Sequence, residues 1–225
     1  METMSGPRAV LSWSSGKDCA MALHVCRSEG LADIVALLCT TNEAFDRVAM
    51  HGTRNAILRA QAAAVGLPLI EVPLPWPCSN EEYEARMVSA MDQVRTLGVE
   101  TMVFGDLFLE DVRDYRIEKL APMGVQALFP LWGRPTDELA REMIALGFEA
   151  HLVTVDPSKL DASFAGRQFN ARLLDDLPPS VDPCGENGEF HTAVSAGPIF
   201  NAPLTVAVGE TVLRDGFAYA DLSLR

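Results

Sequence analysis

Along the first two thirds of the chain, short apolar runs alternate with segments whose apolar positions recur every three or four residues. Residues 9–13, 34–39, 69–72 and 101–104 read as strands. The second shows no polar alternation, as expected of a parallel strand covered on both faces. Residues 17–27, 53–65 and 109–120 read as helices. The first is apolar on most of its faces and so is expected to be buried, and the second ends on Gly66. After a loop containing Pro73, Pro75 and Pro77, Ser79 and Glu82 have the spacing of a capping box. Behind them Tyr83, Met87, Met91, Val94 and Leu97 repeat at helical spacing, a stripe expected to face the core. This alternation predicts βαβ units, and so an α/β fold with an open, mostly parallel sheet and helices on both faces.

Past residue 122 the pattern changes, and a soft boundary is expected there, separating residues 1–122 from a smaller α+β part at 123–225. Residues 128–131 read as extended. Thr136 is expected to cap a helix with Asp137 and Glu138 in its first turn, Leu139, Met143 and Ile144 on its apolar face and Gly147 at its end. A strand at 151–155 and a helix at 169–177 follow, the latter stopped by Pro178 and Pro179. The tail reads as β at 204–208, 212–213 and 217–222, with a hairpin signal at Asp215-Gly216.

Composition narrows the function classes. A formal charge of −13 argues against nonspecific binding to nucleic acid or anionic membranes, while leaving room for a small basic pocket. No apolar run reaches the ~18 residues of a membrane span, and residues 1–7 lack the basic-then-apolar order of a secretory signal. The 5 cysteines are odd in number, scattered and without a C-x-x-C pair, which argues against a disulfide framework or zinc knuckle and for a reducing, cytoplasmic setting.

The sharpest feature is Ser14-Ser15-Gly16-Lys17-Asp18-Cys19, between the first expected strand and the first expected helix. A helix N-terminus offers unpaired N–H groups and partial positive charge to an anion. Gly16 would admit a phosphate closely, Ser14 and Ser15 would add hydroxyl donors, and Lys17 a point charge. Asp18 would hold a magnesium ion or cap the helix. The sequence is neither a Walker A loop nor a dinucleotide fingerprint. Without further context, a plain strand–helix turn is the alternative.

These six residues resemble the S-G-G-x-D-S signature of the PP-loop ATP pyrophosphatases, with Ser15 in place of the usual glycine and Cys19 in place of serine. Phe104-Gly105-Asp106 with Glu110, Asp111, Arg113, Tyr115 and Arg116 resembles the second motif of one branch, and Phe129-Pro130-Leu131-Trp132 a later segment of it. Asp182-Pro183-Cys184-Gly185-Glu186-Asn187-Gly188-Glu189-Phe190-His191-Thr192, followed by Gly197-Pro198, resembles its C-terminal motif. That branch is the diphthine–ammonia ligase family and its relatives. The resemblance implies a PP-loop ATP-binding part, a C-terminal acceptor part, and a reaction in which ATP activates a carboxylate as an adenylate before ammonia forms an amide. The family pattern at the last motif is closer to E-G-G-E-Y-E-T. Asn187 and His191 depart from it, which allows an acceptor other than diphthine.

On this reading ATP and Mg²⁺ are expected, with Asp18 and Asp106 as magnesium ligands; a helix-capping role is the alternative for Asp106. Thr40 and Thr41 follow the second strand, where an open sheet binds ligands, and would face the adenine. His51 would line the nucleotide pocket and Arg54 would reach a phosphate or the acceptor carboxylate. Gly105, Glu110 and Arg113 belong to the second motif. Cys184, Gly185, Glu186, Asn187, Gly188, Glu189 and His191 form the expected acceptor region, a turn-rich loop in which Glu186 or Glu189 takes a proton from ammonia and His191, with a near-neutral pKa, assists. Cys184 reads as a packing residue. The expected partners are a small-molecule or protein-borne carboxylate, ammonia and a second copy of the chain in a homodimer, with no membrane or nucleic acid. The competing readings are an ATP-binding sensor without turnover and an RNA-modifying PP-loop enzyme.

Overall fold

Ala9, Val10 and Leu11 are wholly buried because the first strand runs through the middle of a sheet. In the computed structural model, which describes residues 6–225, β1 (Arg8–Ser12) pairs in parallel with β2 (Asp33–Asn42) on one edge and β5 (Thr101–Val103) on the other. Residues 1–5, part of the segment read for a targeting signal, lie outside the described residues. β4 (Leu69–Leu74) extends the sheet beyond β2, and β6 (Gln126–Leu128) beyond β5, both in parallel. β3 (Arg47–Val48) pairs antiparallel with the last two residues of β2. Since β4 occupies the other edge there, β3 takes the edge that β1 holds lower down and lies past the end of β1.

Helices cover this sheet on both faces, as the alternation predicted. Val10, Ala36, Leu38 and Met102 pack with Ala90, Met91 and Val94 of α3 (Asn80–Thr96) and Leu120 of α4 (Glu110–Leu120). The opposite face carries α1 (Lys17–Glu29) and α2 (Asn55–Val65).

The C-terminal part folds as an antiparallel sheet in the order β8-β7-β10-β9, from β7 (Glu149–Val155), β8 (Phe190–Ala196), β9 (Val206–Arg214) and β10 (Phe217–Leu224). It is joined by α5 (Thr136–Ala145) and the short α6 (Ala171–Asp176). A continuous core runs from Ala9 and Leu11 through Met21 and Leu23 of α1 to Leu139 and Met143 of α5, Leu152 of β7, and Phe190 and Val194 of β8. α1 is therefore enclosed between the two sheets, which is why its sequence is apolar on most faces. Each such side chain contributes about 1.5–3 kcal/mol through burial.

Several boundaries differ from the sequence reading. β2 runs three residues further than expected, to Asn42, because β4 and β3 pair with its end. The extended segment expected at 128–131 lies at Gln126–Leu128, where β5 offers a free edge. Thr136 does not cap α5: Pro135 holds that position without a side-chain bond. The helix expected at 169–177 is only Ala171–Asp176, capped by Asn170 Oδ1 accepting from Leu173 N at 2.9 Å. The expected capping box is present, with Ser79 Oγ accepting from Glu82 N at 3.2 Å and Glu82 Oε2 from Ser79 N at 3.4 Å.

Candidate functional site

The turn between β1 and α1 is held from below. Ser15 adopts φ +70°, the left-handed region that favours glycine, so a glycine at this place would be unstrained. Its hydroxyl donates to Thr53 Oγ1 at 2.8 Å, and its carbonyl accepts from Val194 N at 3.0 Å and Gln61 Nε2 at 3.1 Å. Gln61, fully buried, also donates to Val194 O at 2.7 Å and accepts from Trp13 Nε1 at 3.0 Å. These bonds fix the loop while the backbone N–H groups of Ser14, Ser15 and Gly16 donate to no protein acceptor among the described residues. Gly16 is the N-cap of α1 without a side-chain cap, so Asp18 does not cap the helix. The thiol of Cys19 bonds Gly16 O at 3.1 Å and is pushed up to about 11 by burial, so it is a packing group rather than a phosphate donor.

Lys17 is turned inward. It is 1% exposed, between the rings of Phe169 and Phe190, 5.3 and 5.4 Å from their centroids. Its ammonium donates to both Asp18 oxygens at 3.0 Å and to Cys184 O. Burial opposes its charge, but Asp18 and the neighbouring acidic groups outweigh burial and raise its pKa. Its point charge is thus spent on tying the C-terminal motif to the first turn of α1, rather than projecting freely towards a phosphate. Its backbone N–H donates to Thr192 Oγ1 at 3.1 Å.

Three further groups meet this turn. A Cβ on Gly105 would lie 2.8 Å from Asp18 C and 2.9 Å from Cys19 N, so only glycine lets the segment after β5 approach so closely. Asp106 faces Arg116, whose Nη2 donates to Oδ1 at 3.0 Å. Arg116 Nε stands 2.9 Å from Oδ2 but poorly aligned, which leaves Oδ2 buried without a hydrogen bond. The N-cap of α4 is Leu109, so Asp106 does not cap that helix. Glu186 Oε1 accepts from Leu107 N at 2.8 Å, and burial, aided by Asp18 and Asp106, pushes its carboxyl up to about 7.

Within the C-terminal motif, Asp182 Oδ2 accepts from the N–H groups of Cys184 and Glu186 at 3.1 and 2.9 Å, shaping a turn that includes Gly185 and Gly188. The Cys184 thiol donates to Thr136 O at 3.3 Å, and burial raises its pKa, in keeping with a packing role. Glu189 is buried; Oε1 accepts from Asp182 N and Asn187 Nδ2, and Oε2 has no partner. The motif is not all loop, because Phe190 and His191 begin β8.

Beside the turn lies a cavity of about 450 Å³, within the range of small-molecule sites. Ser12, Trp13 and Ser14 form one wall, Thr40 and the segment from Val48 to His51 a second, and Tyr83, Met87, Met91, Phe104, Tyr115, Arg116 and Lys119 from the α3–α4 side a third. His51 and His191 line it together, ring centroids 4.4 Å apart. The near-neutral pKa expected of His191 is corrected: burial and then the charges of Lys17 and Lys159 lower it to about 4, and His51 is lowered by burial and by His191. Both rings are neutral at pH 7 and offer no proton there.

Other expected residues lie elsewhere. Thr41 is buried on the opposite face of β2 from Thr40 and does not line the cavity. Arg54 forms a two-pronged bond to Asp221 of β10 at 2.7 and 2.8 Å, away from the cavity. Glu110 is exposed, and Arg113 lies over Trp132, 4.3 Å from its ring centroid. The methionine stripe is only partly core: Met91 is buried, whereas Met87 is half-buried and lines the cavity. The sequence reading missed Gln61, Thr53 and Lys119. Gln61 carried a signal, as a polar residue among the apolar positions of an expected helix. Among the described residues no group of three or more His, Cys, Asp or Glu side chains is gathered to hold a metal, and no helix is long and apolar enough to cross a membrane.

A mostly parallel sheet with a second, antiparallel sheet behind it, and a turn of backbone donors without protein acceptors after the first strand, define an α/β protein of the PP-loop kind. The chain belongs to the diphthamide synthase family: the family model described as "Diphthamide synthase N-terminal domain" matches residues 7–126 and that described as "Diphthamide synthase C-terminal domain" matches residues 135–222. It is similar to proteins named diphthine–ammonia ligase, with 27% identity to that of Rattus norvegicus over 157 residues (65% of this chain, 57% of the relative). Identity is 26% to that of Homo sapiens over 161 residues (65% and 57%), and 26% to that of Danio rerio over 229 residues (92% and 89%). The chain thus spans about 57% of the rat and human relatives.

Proposed function

We propose that the chain is an ATP-dependent carbon–nitrogen ligase that adenylates a carboxylate and passes it to ammonia. The observation that carries this reading is the turn at Ser14, Ser15 and Gly16, where three backbone N–H groups donate to no protein acceptor among the described residues and Ser14 lines a cavity of about 450 Å³. The names of the relatives support the same class. An oxygen of the acceptor carboxylate attacks the α-phosphorus of ATP, the bond to pyrophosphate breaks, and the turn's fixed donors stabilise charge on the α-phosphate. The nitrogen of ammonia then attacks the acyl carbon, AMP leaves, and a carboxylate takes the proton that nitrogen loses. Glu186, with a pKa of about 7, suits that task. Neutral His51 and His191 shape the wall.

Magnesium fits as an ion carried with ATP rather than one held in a protein cage. Asp106 Oδ2 takes no well-aligned hydrogen bond but stands 2.9 Å from Arg116 Nε, so the ion would share this carboxylate with that guanidinium, and one or two carboxylates plus phosphates are the usual ligands of this ion. Asp18 and Asp106 would hold it, and it would neutralise phosphate charge. A reducing, cytoplasmic setting belongs to the same proposal. The acceptor is a small or protein-borne carboxylate, diphthine being the one named by the relatives.

The test is incubation with ATP, magnesium, ammonium and a panel of carboxylates including diphthine, with AMP, ADP and pyrophosphate resolved. AMP and pyrophosphate in equal amounts, dependent on one carboxylate, are expected. ADP as product would remove the adenylation step, and tight ATP binding without pyrophosphate for any acceptor would favour a sensor.

A further inference from the structure

The antiparallel sheet ends on β8, which has no strand on its outer side. In an antiparallel ladder every second residue turns its N–H and C=O outward, and such groups are costly when buried without partners. Val194 is such a residue, and it is buried. Its N–H donates to Ser15 O at 3.0 Å, and its C=O accepts from Gln61 Nε2 at 2.7 Å. The turn after β1 thus stands where a further strand would pair. Its carbonyl is the acceptor, and the Gln61 carboxamide is the donor that a neighbouring peptide would offer. Two residues earlier, Thr192 Oγ1 accepts from Lys17 N at 3.1 Å, and a Cβ on Gly16 would lie 3.3 Å from Thr192 O.

This junction uses every part of the glutamine amide. Nε2 donates to Ser15 O at 3.1 Å as well as to Val194 O, and Oε1 accepts from Trp13 Nε1 at 3.0 Å. The three partners fix the amide's orientation, because a flipped amide would set its oxygen against two carbonyls and its NH₂ against an indole N–H. A glutamate carboxylate has no donor to offer here, and methionine has neither donor nor strong acceptor. The consequence reaches the phosphate donors through one peptide. A trans peptide is planar, with its C=O and N–H pointing opposite ways. Ser15 O and Gly16 N belong to the same peptide, so bonds that hold Ser15 O against β8 aim Gly16 N–H away from it. Ser15 keeps φ +70°, which a non-glycine residue does only where its surroundings hold it.

We infer that Gln61 is a positioning residue for the phosphate donors. By gripping Ser15 O it fixes the direction of Gly16 N–H, and it ties that direction to β8 and so to the C-terminal motif that leads into this strand. This role rests on the ligase reading, which places the phosphates of ATP at the turn. Gln61 itself does not line the cavity, so its loss should be felt by the phosphates and not by the nucleoside.

The experiment is calorimetric titration of the unaltered protein, Gln61→Met and Gln61→Glu with adenosine and with α,β-methylene-ATP, both in the presence of magnesium. The unaltered protein is expected to bind the analogue more tightly than adenosine. Gln61→Met should cut that advantage about tenfold, while affinity for adenosine stays within about threefold. Gln61→Glu keeps an acceptor for Trp13 but lacks the amide donors, and its ratio should fall in the same direction. A merely structural role would lower the melting temperature and weaken both ligands together, leaving the ratio unchanged. In the unaltered protein, at matched occupancy, the analogue should also slow hydrogen exchange at the Val194 amide more than adenosine does. The proposal is overturned if either variant keeps the unaltered ratio within about twofold or, where the variants do not fold, if Val194 exchanges alike with both ligands. If the analogue binds the unaltered protein no more tightly than adenosine, the ligase reading falls and this role with it. A ratio present in the unaltered protein and preserved in the variants removes this role alone.

Discussion

Around the first turn of α1 the polar side chains are partnered within the protein interior, whereas across the cavity the walls given by α3 and α4 are partly exposed and mostly apolar, with Arg116 held by Asp106 and Lys119 by Glu84. Ser15 is tied to Thr53, Lys17 to Asp18 and Cys184, and the loop as a whole to Gln61 and Val194. On the opposite side Val88 and Tyr115 are 48% and 47% exposed, and Met87 is half-buried with an adaptable thioether chain. The contrast matches two demands. Charge that develops during phosphoryl chemistry is stabilised by donors that need no rearrangement, while a nucleobase needs only an apolar slot of suitable width.

Breaking the locked side should have the largest effect. Lys17→Ala leaves the Asp18 carboxylate without its partner beside Glu186 and removes the tie to the C-terminal motif, and is expected to cost about 2–4 kcal/mol of stability, read by denaturant unfolding, together with nucleotide binding. A loss below about 0.5 kcal/mol would show that the turn is not locked by this residue.

Glu186 sharpens the comparison through pH. Its folded-state pKa, about 7, lies above the ordinary 4.5, so between those values the native state keeps a proton that the unfolded chain has lost. Stability conferred by the protonated form is present below pH 4.5 and declines as pH rises towards 7. After discounting for partial exposure this amounts to roughly 1–2 kcal/mol. Glu186→Gln should flatten that slope, measured as melting temperature against pH. ATP-dependent amide formation by the unaltered protein, read as pyrophosphate release, should rise over the same window, and the variant should lack that rise.

The smallest effect is expected on the open side. Met87→Ala should weaken nucleotide binding a few-fold by calorimetry and shift stability by less than about 1 kcal/mol, because this residue is not part of a closed core. A collapse of stability there would erase the distinction between the two walls.

Much of this arrangement was legible in the residues. The even apolarity of α1 announced a helix enclosed on both sides, and Ser79 with Glu82 announced the start of α3. The loop from Ser14 to Cys19 was legible as a strand-to-helix turn because an apolar strand precedes it and a helix follows. What could not be read was tertiary. β8 (Phe190–Ala196) hides behind a turn-rich acidic stretch, and its buried Thr192 and Ser195 break the apolar run that marks a covered strand. β3 is two residues long and exists only because β2 outlasts β1. Arg54 carries the same charge whether it meets a phosphate or Asp221, so only the position of β10 decides between them. The histidine pKa values depend on burial, which no spacing reports.

The enclosure of α1 bears on how such a protein is inherited. The stretches matched by the two family models meet at α1, which belongs to the first and whose apolar surface is buried by residues of both. Exchanging the second stretch for an unrelated module would strip one side of that helix bare, so substitutions in the two are expected to be correlated across this buried contact more than along the intervening connection.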